Sequence, residues 1–138
     1  MNDFLDVYRS LSSENLHRLE EIYTADIHFV DPAHEIKGLD NLRGYFEKLY
    51  ANVKSVEFDF HDPFRSESSG YVQWTMHFTH SRLNGGRKIA VPGSSFLRFT
   101  DNDKVFFHRD YFDLGSMLYL HLPILGNIVR SINRRLGS

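Results

Sequence analysis

Apolar positions recur mainly at helical spacing over the first fifty residues, with one alternating stretch among them, and at the two-residue spacing of strands beyond Val53. Over Asp3–Leu11, Phe4, Val7, Tyr8 and Leu11 share one side of a predicted helix. Ser12-Ser13 breaks it and can cap a second helix, whose stripe is Leu16, Leu19, Ile22 and Tyr23 against Glu14, Arg18 and Glu21. Asp26–Pro32 then alternates: Ile27, Phe29 and Asp31 on one face, His28 and Val30 on the other. Pro32 cannot donate to a ladder, so the strand stops there. Ala33–Gly38 reads as a loop or short strand. Leu39–Asn52 is the clearest helix, with Leu42, Tyr45, Phe46, Leu49 and Tyr50 at i, i+3, i+4, i+7 and i+8.

The remainder predicts strands. Val56–His61 alternates around Phe58 and Phe60, and Asp62-Pro63 reads as a turn. Ser66–Gly70 is a polar connection to a long strand over Tyr71–Arg82. Leu83-Asn84-Gly85-Gly86 is a hairpin signal, because these residues accept positive φ. Lys88–Thr100 returns, with a bulge expected at Pro92-Gly93, and Asp101-Asn102-Asp103 turns into Lys104–Asp113. In that last strand His108, Asp110 and Phe112 share a face opposite Arg109, Tyr111 and Asp113. Helices followed by long antiparallel strands describe one α+β domain over residues 1–138, a curved sheet with the helices on its concave side. From Leu114 the chain is apolar, broken by Pro123 and Gly126 and followed by Arg130, Arg134 and Arg135. This predicts two short helical pieces, the first leaning over a pocket mouth; peripheral membrane contact is the lesser reading.

Composition narrows the chemistry. The net charge of −2 gives no general attraction to nucleic acid. With no cysteine, disulfides, thiolate catalysis and Cys-ligated zinc are excluded. The start, MNDFLDVYRSL, carries acids where a signal peptide carries a basic start and an apolar run, and no stretch approaches the length of a bilayer span. A cytoplasmic protein is expected. No three histidines or acids converge in the pattern, so neither a metal nor a cofactor is expected.

Asp31 and Asp110 stand out, because a carboxylate among aromatic strand positions is paired, hydrogen-bonded or functional. Structural readings exist for both. Asp31 can bind turn amides before Pro32, and Asp110 can cap the helix near Leu114 or pair with Arg109. Facing one apolar pocket instead, they would have Phe29, Trp74, Met76, Phe78, Ser95 and His108 as neighbours by parity, with Phe112 on the strand of Asp110. Two acids in such walls disfavour double ionisation, so one can hold a proton while the other acts as base. His108 would orient Asp110 or transfer a third proton.

Two stretches carry a family resemblance. YTADIHFVDPAHEIKGLDNLRGYF is similar to the ketosteroid isomerase segment in which the Asp before Pro shuttles the proton, and KVFFHRDYFDL resembles the last strand of the limonene-epoxide hydrolases. With the order of elements, they resemble the nuclear transport factor 2-like superfamily, which also holds the scytalone dehydratases and SnoaL-like cyclases. The resemblance implies a cone-shaped α+β barrel with a pocket at its wide end, often dimeric through the outer sheet face. It places Asp31 on the isomerase base and Asp110 on the hydrolase base. The isomerase's oxyanion tyrosine falls near Val7 or Tyr8, so that Tyr8 serves only if the loop is one residue shorter, and its protonated Asp falls on Ser95. The hydrolase's Arg and second Asp fall on Met76 and Phe78, and its Tyr and Asn on Phe29 and Asp31, so neither catalytic set is complete.

The expectation is an acid–base enzyme acting on a small apolar molecule, of isomerase, dehydratase, cyclase or epoxide hydrolase type. The proposed catalytic residues are Asp31, Asp110 and His108, and the pocket is lined by Tyr8, Phe29, Trp74, Met76, Phe78, Ser95 and Phe112. The alternative is a ligand-binding or protein-interaction domain of the same fold. A homodimer is expected through Tyr71, Gln73, Thr75, His77 and Thr79 on the off-pocket face of the long strand.

Overall fold

The computed structural model describes residues 1–117, 131, 132 and 134–137. The first helix, α1 (Asn2–Ser10), buries Phe4, Leu5, Val7 and Tyr8. The expected second helix does not form: Leu16–Glu21 winds as one short 3-10 segment, and Tyr23 opens strand β1 (Tyr23–Val30). The sheet captures the chain at that point, since the Val105 amide donates to the Ile22 carbonyl at 2.7 Å. Strand β2 (Glu35–Lys37) folds back on β1, and Gly38 (φ 92) turns the chain into α2 (Leu39–Asn52), the helix read from the pattern.

Four long strands follow: β3 (Ser55–Ser66), β4 (Ser69–Thr79), β5 (Ile89–Phe99) and β6 (Val105–Phe112). The sheet order is β2-β1-β6-β5-β4-β3, and every neighbouring pair is antiparallel except β1 with β6. The sheet is therefore mixed, not antiparallel throughout. The parallel pair arises because β6 returns to the middle of the sheet after the β3–β5 meander. There it pairs with the face-matched positions of β1: Phe29 beside His108, Val30 beside Arg109.

Two turn expectations are corrected. Asp62-Pro63 does not end β3; the strand continues through a register irregularity between His61 and Phe64, with Asp62 at φ 52. The proline is tolerated because β3 is an edge strand and its outer side has no ladder to feed. Nor is there a bulge at Pro92-Gly93, where β4 and β5 stay in register through Thr75–Pro92 and Trp74–Gly93. Pairing of β5 with β6 begins only at Gly93, so Pro92 lies where β5 has one neighbour.

Alternation sorts the faces. Val72, Trp74, Met76 and Phe78 of β4 are buried, whereas Tyr71 and Gln73 are exposed and Thr75, His77 and Thr79 half-buried. The core gathers the inward residues of the sheet under α1, the 3-10 segment and α2. After β6 a short helix, α3 (Leu114–Met117), begins; the two helical pieces expected around Pro123 and Gly126 lie outside the described residues. No helix among the described residues is long and apolar enough to cross a membrane.

Gly93 lets the Trp74 indole lie flat across β5. A Cβ there would sit less than 3.0 Å from three indole carbons, and a rigid ring backed by the core cannot yield. Gly44, mid-helix in α2, has open space where its Cβ would be. We therefore expect Gly93→Ala to destabilise the protein by about 1–3 kcal/mol through overpacking. Gly44→Ala should stabilise it by about 0.5–1 kcal/mol through chain entropy. Urea unfolding midpoints of the two variants, moving in opposite directions, check both.

Candidate functional site

The inward parity of β6 carries His108, Asp110 and Phe112 onto the concave face, opposite Leu97, Ser95 and Gly93 of β5. Asp110 neither caps a helix nor pairs with Arg109. Asp113 caps α3, accepting from the Gly115 amide at 2.9 Å, and Arg109 stacks on the Tyr111 ring. Asp110 instead holds the centre of a hydrogen-bond chain. Its Oδ1 accepts from Ser95 Oγ at 2.5 Å and faces His108 Nε2 at 2.6 Å. Ser95 Oγ accepts the Trp74 indole N–H at 2.9 Å. On the far side of the imidazole, Nδ1 lies 2.6 Å from the Tyr23 hydroxyl, which lies 2.5 Å from the Tyr8 hydroxyl. Among the described residues Asp110 Oδ2 has no hydrogen-bond partner, and the side chain is 19% exposed while His108 is 2% exposed.

The Asp110 side chain borders a narrow inner cavity of about 50 Å³. Tyr8, Phe29, Asp31, Phe58, Trp74, Met76, Ser95, His108 and Asp110 line it, with Phe112 at the rim. It opens into a wide apolar mouth of about 580 Å³ between α2 and the end of β4, bordered by Leu49, Val53, Phe78 and Leu83. Asp31, Tyr45, Leu49, Met76 and Phe112 border both. The sequence-derived lining residues thus converge, with Phe78 at the mouth, not in the inner chamber.

Asp31 also borders the inner cavity, but both its oxygens are engaged. Oδ1 accepts from the amides of Ala33 at 2.8 Å and His34 at 2.7 Å and faces His34 Nδ1 at 3.1 Å. Oδ2 accepts from the Tyr45 hydroxyl at 2.8 Å. The turn-binding role open to an Asp before Pro is present together with a place on the cavity wall. Among the described residues no group of three or more metal-ligating side chains occurs.

Pattern reading missed two members of this site. Helical spacing puts Tyr23 and Tyr45 among apolar stripe positions, yet each brings a hydroxyl to a carboxylate or to the imidazole. The available signal was chemical, since a buried tyrosine needs a partner for its OH. Burial pushes Tyr8 and Tyr23 well above the ordinary phenol range, and the negative charge of Asp110 adds to it in both. Burial and then the charge of Asp31 raise Tyr45, and burial pushes Tyr50 up to about 12.

The comparisons with known proteins bear on the fold. The SnoaL-like domain profile matches residues 4–108, and the chain belongs to that family. A protein with a ketosteroid isomerase-like fold from Catenulispora acidiphila DSM 44928, solved with trimethylamine, is 22% identical. It superposes with a TM-score of 0.70 over 79% of this chain and 84% of that one. A nuclear transport factor 2-like protein of unknown function from Burkholderia pseudomallei K96243 is 18% identical, with a TM-score of 0.68 over 88% and 98% of the two chains. A candidate SnoaL-like polyketide cyclase from Shewanella denitrificans OS-217 is also 18% identical, with a TM-score of 0.71 over 84% and 91%. These likenesses confirm the nuclear transport factor 2-like fold. No curated protein matches the sequence significantly. Asp110 lies two residues beyond the end of the family match.

Two buried tyrosines, Tyr8 and Tyr23, and two half-buried ones, Tyr45 and Tyr50, set an alkaline limit on stability. Their folded-state pKa values are raised, so the folded protein keeps protons that the unfolded chain releases above about pH 10. Stability should be undiminished below that value and fall as pH rises through it. Phenolate absorbance of Tyr8 and Tyr23 should appear only with unfolding. A urea series from pH 8 to 12, read by phenolate absorbance and circular dichroism together, checks this.

Proposed function

We propose that this protein is an acid–base enzyme acting on a small, largely apolar molecule, with Asp110 as the base. The observation that carries this reading is the divided carboxylate: Oδ1 is held by Ser95 and His108, while Oδ2 has no partner among the described residues and the side chain borders an aromatic cavity. An oriented carboxylate in a ring-lined chamber is suited to removing a proton beside a carbonyl, to dehydration, to aldol-type cyclisation, or to activating water. Its Oδ2 takes the proton, the electron pair left behind moves into the adjacent carbonyl, and Tyr8 lies on the wall where the oxygen can sit. The inner chamber admits a reactive end, and the mouth receives the body of the substrate. The family includes proteins described as candidate polyketide cyclases and isomerases, which supports this class without specifying a reaction. Asp31, with four groups directed at its carboxylate, shapes the wall between chamber and mouth; we assign it a smaller part in proton transfer.

The test is hydrogen–deuterium exchange into a panel of enolisable aromatic ketones, with epoxide opening in parallel, followed by NMR. Asp110→Asn should leave the thermal midpoint within a few degrees. It should lower any accelerated rate by about two to four orders of magnitude. A rate unchanged in this variant would remove Asp110 from the chemistry.

The outer sheet face fits a second copy of the chain. It exposes Tyr71, Phe106 and Tyr111, with Arg98 over Phe96 and Arg109 over Tyr111, an aromatic and arginine surface of the kind found at interfaces. We propose a homodimer across this face. Sedimentation at micromolar concentration should give the dimer mass, and Tyr111→Glu should shift it to the monomer; a monomeric parent rejects the assignment.

A further inference from the structure

Counting hydrogens along the buried chain shows that its polarity is set at one group. The Trp74 indole can only donate, so Ser95 Oγ accepts there and sends its own hydrogen to Asp110. An ionised Asp110 only accepts, so the imidazole nitrogen facing it, Nε2, carries a hydrogen. In neutral His108 the other nitrogen, Nδ1, is then bare. Tyr23 must donate to it, and Tyr8 must donate to Tyr23. The single hydrogen of Tyr8 is spent inward, and only lone pairs face the cavity.

One added proton reverses this order. With His108 as imidazolium, Nδ1–H donates to the Tyr23 oxygen, the Tyr23 hydrogen turns to Tyr8, and the Tyr8 hydrogen turns outward. Two hydroxyls rotate and no heavy atom has to move. Burial keeps both phenols neutral, so each retains its one hydrogen through the change. Outward, Tyr8 meets a cage of rings: Phe46, Phe58 and Phe60 stand edge-on to it at 5.8–6.4 Å. Among the described residues its hydroxyl has no other hydrogen-bond partner than Tyr23, which leaves the outward hydrogen available to a ligand acceptor.

We propose that Tyr23 is a positioning residue that ties the hydrogen-bond polarity of Tyr8 to the protonation of His108, so that the cavity binds anionic oxygens of the phenolate or enolate type with uptake of one proton. The proposal rests on the ligand cavity of the preceding reading but needs no turnover. Linkage makes it reciprocal: a ligand accepting from Tyr8 favours the imidazolium, and the imidazolium favours that ligand. The titratable groups around the imidazole are Asp110 on its own strand, Tyr23 and Asp31 of β1, Tyr8 of α1, and Tyr45 and Tyr50 of α2; β5 contributes only Ser95. Of these, Asp110 and Tyr23 touch the ring nitrogens. In a proton abstraction the same device supplies a donor at the oxygen where charge develops.

The probe is 4-nitrophenolate, whose visible absorbance distinguishes bound phenolate from bound phenol. Calorimetry in buffers of different ionisation enthalpy gives the protons taken up per ligand. At a pH where nitrogen-15 NMR shows Nδ1 of His108 bare in the free protein, the parent should take up about one proton per phenolate, and Nδ1 should become protonated in the complex. Tyr23→Phe frees the Tyr8 hydrogen from its inward acceptor. That variant should bind phenolate within about tenfold of the parent but without proton uptake, a result that mere loss of packing does not produce. Tyr8→Phe should lose phenolate binding. Equal uptake in Tyr23→Phe, an Nδ1 already protonated in the free protein at every pH, or no phenolate binding by the parent at millimolar concentration overturns the proposal. The nitrogen-15 reading needs only the parent, so it decides even where a variant fails to fold. Loss of the linkage is separable from failure of the acid–base reading, which is judged by turnover in Asp110→Asn.

Discussion

A carboxylate set among aromatic rings is stable only if its charge is met by donors, and at Asp110 those donors come from neighbouring parts of the fold. Ser95 reaches it from β5, itself fixed by the Trp74 indole of β4. His108 reaches it from β6, itself in contact with the hydroxyl of Tyr23 at the start of β1 and, beyond that, of Tyr8 on α1. Four strands and one helix therefore meet in a single line of hydrogen bonds across the concave face. Buried networks of this kind are stabilising only when every member is satisfied. Each atom along this line has a partner, and Asp110 Oδ2 has none among the described residues.

The two acids that share the cavity wall occupy different circumstances. Asp31 ends a strand before a proline, where the next two amides point back at its Oδ1 and Tyr45 covers its Oδ2. Its charge is absorbed locally by the turn it makes. Asp110 has no turn amides to accept, because it sits within a strand whose backbone groups are committed to β5 and β1. Only side chains can answer its charge, and they cover one oxygen. Local backbone geometry, not residue type, separates a structural carboxylate from a chemically available one.

The shape of the site follows from the same sheet. Gly93 admits the indole of Trp74 over β5, which brings its N–H to Ser95 and narrows the inner chamber. Where β4 runs beyond that point, Phe78 and Leu83 with Leu49 and Val53 of α2 leave the wide apolar mouth.

What the sequence alone determined is whatever depends on periodicity. Helix α2 was legible from its i, i+3, i+4 stripe, as were the inward face of β4 from Val72 to Phe78 and the shared face of His108, Asp110 and Phe112, because side-chain direction follows from residue spacing once an element exists. Proline and glycine signals were less decisive. Asp62-Pro63 lies inside β3 because an edge strand has a free side, and nothing local reveals which strand is the edge. Tertiary structure alone decided the parallel pairing of β1 with β6, the capture of Tyr23 by the sheet, and which oxygen of which acid remains free. Those outcomes depend on contacts between residues 8, 23, 95, 108 and 110, whose separations along the chain carry no period. A hydrogen bond is fixed by distance and direction in space, and a sequence records only the order in which its partners were made.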